Sequence, residues 1–118
     1  MAVITPVKDF THDSKMKIYL WETIGQGDTC SPVKLAYTDD VTIFAFGTFS
    51  GTAKIALHGS PEASNGSPTL FAALASSGTA IDLGAASAKV VDENAAWYKP
   101  VLTGGDGSTD IDVYVVSK

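Results

Sequence analysis

The sequence predicts an all-β protein: an antiparallel β-sandwich, jelly-roll-like, with an extended N-terminal arm. Apolar residues alternate at period two through most of the chain, turn-formers punctuate it at spacings of roughly ten residues, and no segment holds a helical period for more than a turn or two. Eight or nine short strands on that spacing specify a sandwich, because each buries one face and needs a second sheet to bury it against.

Residues 1 to 15 stand apart as the arm, since "AVITPVKDFTHDS" carries apolar residues without clean alternation and has Pro6 in its midst. The arm is expected to lie along the sandwich or reach a neighbour, and residues 16 to 118 form the sandwich domain. "MKIYLWETI" places Met16, Ile18, Leu20 and Glu22 on one face and Lys17, Tyr19, Trp21 and Thr23 on the other, a strand with one aliphatic and one aromatic side. After the breaker "GQGDT", "SPVKLAY" aligns Val33, Leu35 and Tyr37. "VTIFAFG" opposes Val41, Ile43 and Ala45 to Thr42, Phe44 and Phe46, and a strand apolar on both faces lies mid-sandwich or beneath a partner. "TAKIALH" turns Ala53, Ile55 and Leu57 inward, and the short link "TFSG" predicts a β-hairpin with the strand before it. Gly59 to Pro68 is composed of turn-formers and reads as an exposed loop. Leu70 to Leu74 reads as a short strand, because a helix of that length is marginal without packing. "TAIDLG" and "SAKVVD" are further short strands.

Two alternating segments, "AWYKPVLT" and "DIDVYVVSK", flank "GGDGSTDID" and predict a second hairpin, whose glycines supply the positive φ that tight links require. Pro100 lacks a ladder donor, so its strand is expected at an edge or paired on one side there. Calcium chemistry does not suit this loop. An EF-hand needs acids at alternate positions, glycine at the sixth and glutamate at the twelfth, whereas here glycine falls second and the glutamate is missing. A phosphate loop fails for want of a lysine and a following helix.

Composition narrows the partners. At 118 residues the chain is one domain, with 18% charged residues against about 25% in typical domains. Its surface is therefore rich in small and polar residues and easy to desolvate against other protein. Thirteen acids against eight basic residues give a net charge of −5, and no basic run exists to release counterions from a polyanion. Nucleic acid and anionic membrane are disfavoured. No stretch approaches the roughly 18 apolar residues of a membrane span, and the N-terminus lacks a signal-peptide pattern, so a cytosol-like site of synthesis is expected. Cys30 stands alone and reads as a small apolar filler.

No catalytic constellation emerges. His12 and His58 are the two histidines, and no serine sits in a nucleophile elbow. One cysteine with two distant histidines offers no zinc spacing, and Glu22, Glu62 and Glu93 are scattered rather than paired for glycoside cleavage. The expectation is a protein that is not an enzyme and needs no cofactor or metal. Of the aromatic residues most are expected in the core. Adjacent Trp97 and Tyr98 put one ring in and one out, making them candidate contacts for a partner.

"AKIALHGSPEAS" and "NAAWYKPVLTGGDGSTDIDVYV", at His58 to Glu62, Trp97 to Gly105 and Ile111 to Val115, form a pattern that resembles small structural proteins of tailed bacteriophages. The resemblance implies a virion component made in the host cytoplasm, a head decoration or cement protein. Such a protein sits on the capsid surface, often as a homotrimer, and clamps neighbouring copies of the major capsid protein. The arm would then offer Val3, Ile4, Val7 and Phe10 to a neighbour, a contact of a few hundred Å², on the order of several kcal/mol before ordering costs. The alternative is a receptor- or glycan-binding module of a phage tail or host surface, using an exposed aromatic platform.

Overall fold

The computed structural model describes residues 3–6, 8–10, 17–35, 40–61, 72–92 and 95–117. Thirteen strands lie among them: β1 (Val3–Ile4), β2 (Lys8–Phe10), β3 (Lys17–Ile24), β4 (Thr29–Cys30), β5 (Val33–Lys34), β6 (Val41–Thr48), β7 (Lys54–Ser60), β8 (Ala72–Ala73), β9 (Ala75–Ser76), β10 (Thr79–Ala80), β11 (Ser87–Val90), β12 (Trp97–Thr103) and β13 (Asp110–Ser117). The protein is all-β, as the alternation requires. Five strands form one sheet in the order β11-β6-β13-β3-β2, and four form a second in the order β5-β12-β7-β8, both with antiparallel pairing. The short β1-β4 pair is parallel.

One apolar cluster joins the two larger sheets. Ile43, Ala45, Ile111, Val113 and Val115 enter it from β6 and β13, and Ile55, Leu57 and Tyr98 from β7 and β12. Ile81 and Leu83 are buried in it, as are Val33 and Leu35; Tyr37 lies outside the described residues. The segment around residue 72 is extended, with Ala72–Ala73 paired to β7 and Leu74 buried. Leu70 and the loop 62–68 lie outside the described residues.

Both expected hairpins are overturned. β6 does not pair with β7: it pairs with β13 and β11, whereas β7 pairs with β12 and β8. β12 and β13 likewise belong to different sheets. The links 49–53 and 104–109 are therefore arches that carry the chain from one sheet to the other. Alternation fixes which residues face the core, but inward residues of a hairpin and of an arch look the same in sequence. "GGDGSTDID" does turn the chain, as an arch. Gly104 and Gly105 have φ of 68° and 95°, and a Cβ on Gly104 would meet the Thr52 carbonyl oxygen at 2.5 Å. The two arches are tied side by side, with Ser50 Oγ donating to Asp106 Oδ1 at 2.6 Å and lying 2.9 Å from Thr109 Oγ1. Gln26 Nε2 donates to the Gly105 carbonyl at 3.0 Å, adding the link after β3 to the same cluster.

The faces of β3 also depart from simple alternation. Trp21 and Ile24 are both fully buried while Glu22 and Thr23 are exposed. Opposite them the register of β13 shifts between Ile111 and Val113, so β3 carries an extra residue there. Thr23 takes φ of 54° at this bulge, and its N–H donates to Asp112 Oδ1 at 2.9 Å. Trp21 Nε1 donates to the Ser31 carbonyl at 2.9 Å, so its buried polar group is satisfied.

Pro100 has the expected setting. It is registered on Leu57 of β7, and the β5 side of β12 is paired only at Trp97 and Tyr98.

Candidate functional site

The central strands β6 and β13 are apolar on both sides, and the core takes only one. Ile43, Ala45, Val113 and Val115 point inward and are buried, which leaves Phe44, Phe46, Tyr114 and Val116 on the outer face of the five-stranded sheet. Their rings meet there: Phe44 stacks on Phe46 with centroids 6.3 Å apart, and Phe46 meets Tyr114 edge-on at 6.0 Å. Register extends the face to Ile18 and Leu20 on β3 and to Ala88 and Val90 on β11. Phe46 is 46% exposed and Val90 60%. Carboxylates collect at one end, where Asp110 and Asp112 follow the arch and Glu22 sits at the bulge. A contiguous apolar surface of this kind, rimmed by charge, suits contact with protein.

The outer face of the four-stranded sheet has different chemistry. Trp97, Lys99 and Val101 point outward from β12, with Lys34 and Ser60 registered on Trp97, His58 on Lys99 and Lys54 on Thr103. Lys54 Nζ lies 3.3 Å from Asp82 Oδ2, both groups being exposed. Partial burial, and then the Lys99 charge, hold His58 below its ordinary pKa, so it is neutral near pH 7.

The candidate contacts of the sequence reading do not gather in one place. Val3 is 69% exposed and lines a groove of about 340 Å³ with Ile4, Thr5, Glu22 and Thr23. Ile4 packs against the core, and its carbonyl accepts the Ser31 N–H at 2.8 Å. Val7 lies outside the described residues, and Phe10 is described only in its backbone, registered on Ile18. Trp97 is half-buried on the outer face of β12. Tyr98 is wholly buried, its hydroxyl accepting the Ala95 N–H at 2.7 Å, so this ring has no surface to give a partner and is a core residue. Phe44, Phe46 and Tyr114 were not among the candidates. The signal for the two phenylalanines is the strand "VTIFAFG", apolar on both faces, whereas Tyr114 belongs to "DIDVYVVSK".

Among the described residues no three His, Cys, Asp or Glu side chains are placed to hold a metal. A second groove, of about 140 Å³, brings Cys30 near Asp28 and Lys99. Burial first, and then the Asp28 carboxylate, push the Cys30 thiol up to about 12, which keeps it protonated and unreactive. A third groove of about 210 Å³ is lined by Asp82 and Lys89 with Ser76 and Thr79. No protein-family model, curated protein or solved structure matches this chain.

Proposed function

We propose that this protein is a non-enzymatic virion structural protein, a decoration or cement protein that binds the outer surface of a tailed-phage head. It would clamp neighbouring copies of the major capsid protein and work as a homo-oligomer, with a trimer favoured. The observation that carries this reading is the apolar outer face of the five-stranded sheet, where Phe44, Phe46, Tyr114 and Val90 are held on a rigid ladder and offer surface rather than chemistry. Repetition over a lattice multiplies a modest contact of this sort by avidity. The jelly-roll-like reading draws support from the nested pairing of β6 with β13 and β7 with β12, a ribbon folded over at its two arches. The arm reading concerns residues 1 to 15, of which Val3 is the exposed apolar residue among those described.

The test is binding of the purified protein to expanded phage capsid shells, with and without Phe46→Lys. Wild type should co-sediment with the shells and raise their heat resistance, and the variant should lose at least about tenfold in affinity while melting normally. Shells that ignore wild-type protein would end this reading. A second reading, a glycan-binding module, has Trp97 in its favour, half-buried beside Lys34 on an outer face. Loss of glycan binding in a folded Trp97→Ala variant would support it.

A further inference from the structure

We infer that the outer face of the five-stranded sheet takes a basic protein segment, which lays an arginine side chain on Phe46 with its guanidinium against Asp112. The inference rests on the reading of this face as the protein's contact surface and names the chemistry of what it contacts.

Strand pairing sets a ring beside an acid. The outward residues of β13 are Asp110, Asp112, Tyr114 and Val116, and across the ladder they meet Thr48, Phe46, Phe44 and Thr42 of β6. Phe46 and Asp112 are thus direct partners on one face of an antiparallel pair, with Cβ atoms roughly 5 Å apart. The ring is held in place, because Phe44 stacks on it and Tyr114 meets it edge-on, yet Phe46 stays 46% exposed. The acid is held too, because Asp112 Oδ1 accepts the Thr23 N–H at 2.9 Å. Asp110 precedes it on the same face, and Glu22 is exposed beside Thr23 at the bulge, so three carboxylates share this end of the face.

Charge decides the occupant. Among the described residues Asp110, Asp112 and Glu22 form no ion pair, whereas Asp82 is matched to Lys54. No described outward side chain on this face is a cation, since Lys17 and Lys89 are registered on the buried residues Ser117 and Ile43. Lys8, described only in its backbone, is registered on Leu20 at the sheet edge, two strands from β13. An apolar partner would desolvate three carboxylates without a counter-charge, and an acidic partner would be repelled. A cation satisfies both halves of the site, because the rings attract it through their quadrupole and the carboxylates through their charge. Arginine suits it better than lysine: a planar guanidinium lies flat on a ring while its N–H groups fork onto a carboxylate, and arginine is enriched where proteins meet.

The test is an NMR titration of isotope-labelled full-length protein with an acetylated, amidated hexapeptide that alternates leucine and arginine, carried to millimolar concentration. Peptides with lysine or glutamine in place of arginine are the comparisons. The arginine peptide should move the amide signals of Phe44 to Thr48 and of Asp110 to Tyr114, bind more weakly at high salt, and outbind the glutamine peptide at least about tenfold. Phe46→Leu keeps an apolar side chain without a ring and should weaken arginine binding about threefold. Asp112→Asn keeps an oxygen for the Thr23 N–H while removing the charge, and together with Asp110→Asn it should weaken binding about tenfold. Circular dichroism and melting confirm that each variant folds, and if the double variant does not, Glu22→Gln with Asp110→Asn replaces it. Signals that move equally at Asp82, Asp92 and Asp106, a lysine or glutamine peptide that binds as tightly, or a Phe46→Leu variant that binds like wild type would each overturn the inference. Shell binding is scored separately: peptide binding without it sinks the capsid reading alone, and shell binding without peptide binding sinks only this inference.

Discussion

Asp106 shows how a residue that looks reactive in sequence is used for holding. Its own N–H donates to Thr109 Oγ1 at 2.9 Å, and its carboxylate accepts Ser50 Oγ at 2.6 Å and the Ser108 N–H at 2.8 Å, two bonds, the Ser50 one foremost, that depress its pKa below the ordinary 3.8. A depressed carboxylate adds stability that is fully present above 3.8 and is lost as pH falls through the lower folded-state value. Asp106→Asn should therefore be less stable than wild type near neutral pH, with the gap closing in acid. Urea midpoints measured from pH 7 to pH 2 check this, and a gap that does not shrink in acid would count against it. Cys30 yields a second residue-scale expectation. With its thiol held up at about 12 and only 7% exposed, it should resist a thiol-specific disulfide reagent at pH 8 in the folded protein and react promptly in denaturant. Equal rates in the two states would contradict the placement.

At the scale of elements, the N-terminal pieces are built into the sheets. β2 is hydrogen-bonded along β3 as an edge strand, and β1 runs beside β4. Deleting residues 1 to 12 should therefore cost on the order of 2 kcal/mol through lost ladder bonds, roughly 8 °C in Tm for a domain this small. An unchanged melting curve would show that these pairs add nothing. Which residues face the core was legible, because Ile55, Leu57, Ile111, Val113 and Val115 obey period two without interruption. Two features were not. The bulge at Thr23 depends on Asp112, 89 residues away, accepting its N–H, and no local pattern announces it. The arches look like hairpins in sequence because short glycine-containing links serve both, and what separates them is the distant partner each strand finds.

The whole molecule depends on β13. It lies between β6 and β3 and joins them through ladders spanning most of its length, so this last strand completes a sheet whose other two long members come from the first half of the chain. Such non-local pairing predicts folding in milliseconds to seconds rather than microseconds. A chain ending at Thr109 should fail to fold, because its loss opens two edges and removes Ile111, Val113 and Val115 from the core. A dispersed amide spectrum from that truncation would refute the dependence. The candidate face is a whole-molecule feature too: Phe44, Phe46 and Tyr114 become one patch only when β6 and β13 pair.

By itself the sequence determined the class of fold, the inward residues of most strands and the turning role of "GGDGSTDID", since each follows from local periodicity or local backbone chemistry. Tertiary structure alone decided which strands share a sheet, that Tyr98 is core, and that three rings gather outside. Pairing between strands is set by side chains far apart in the chain, and the alternation of any one strand is the same whichever neighbour it takes.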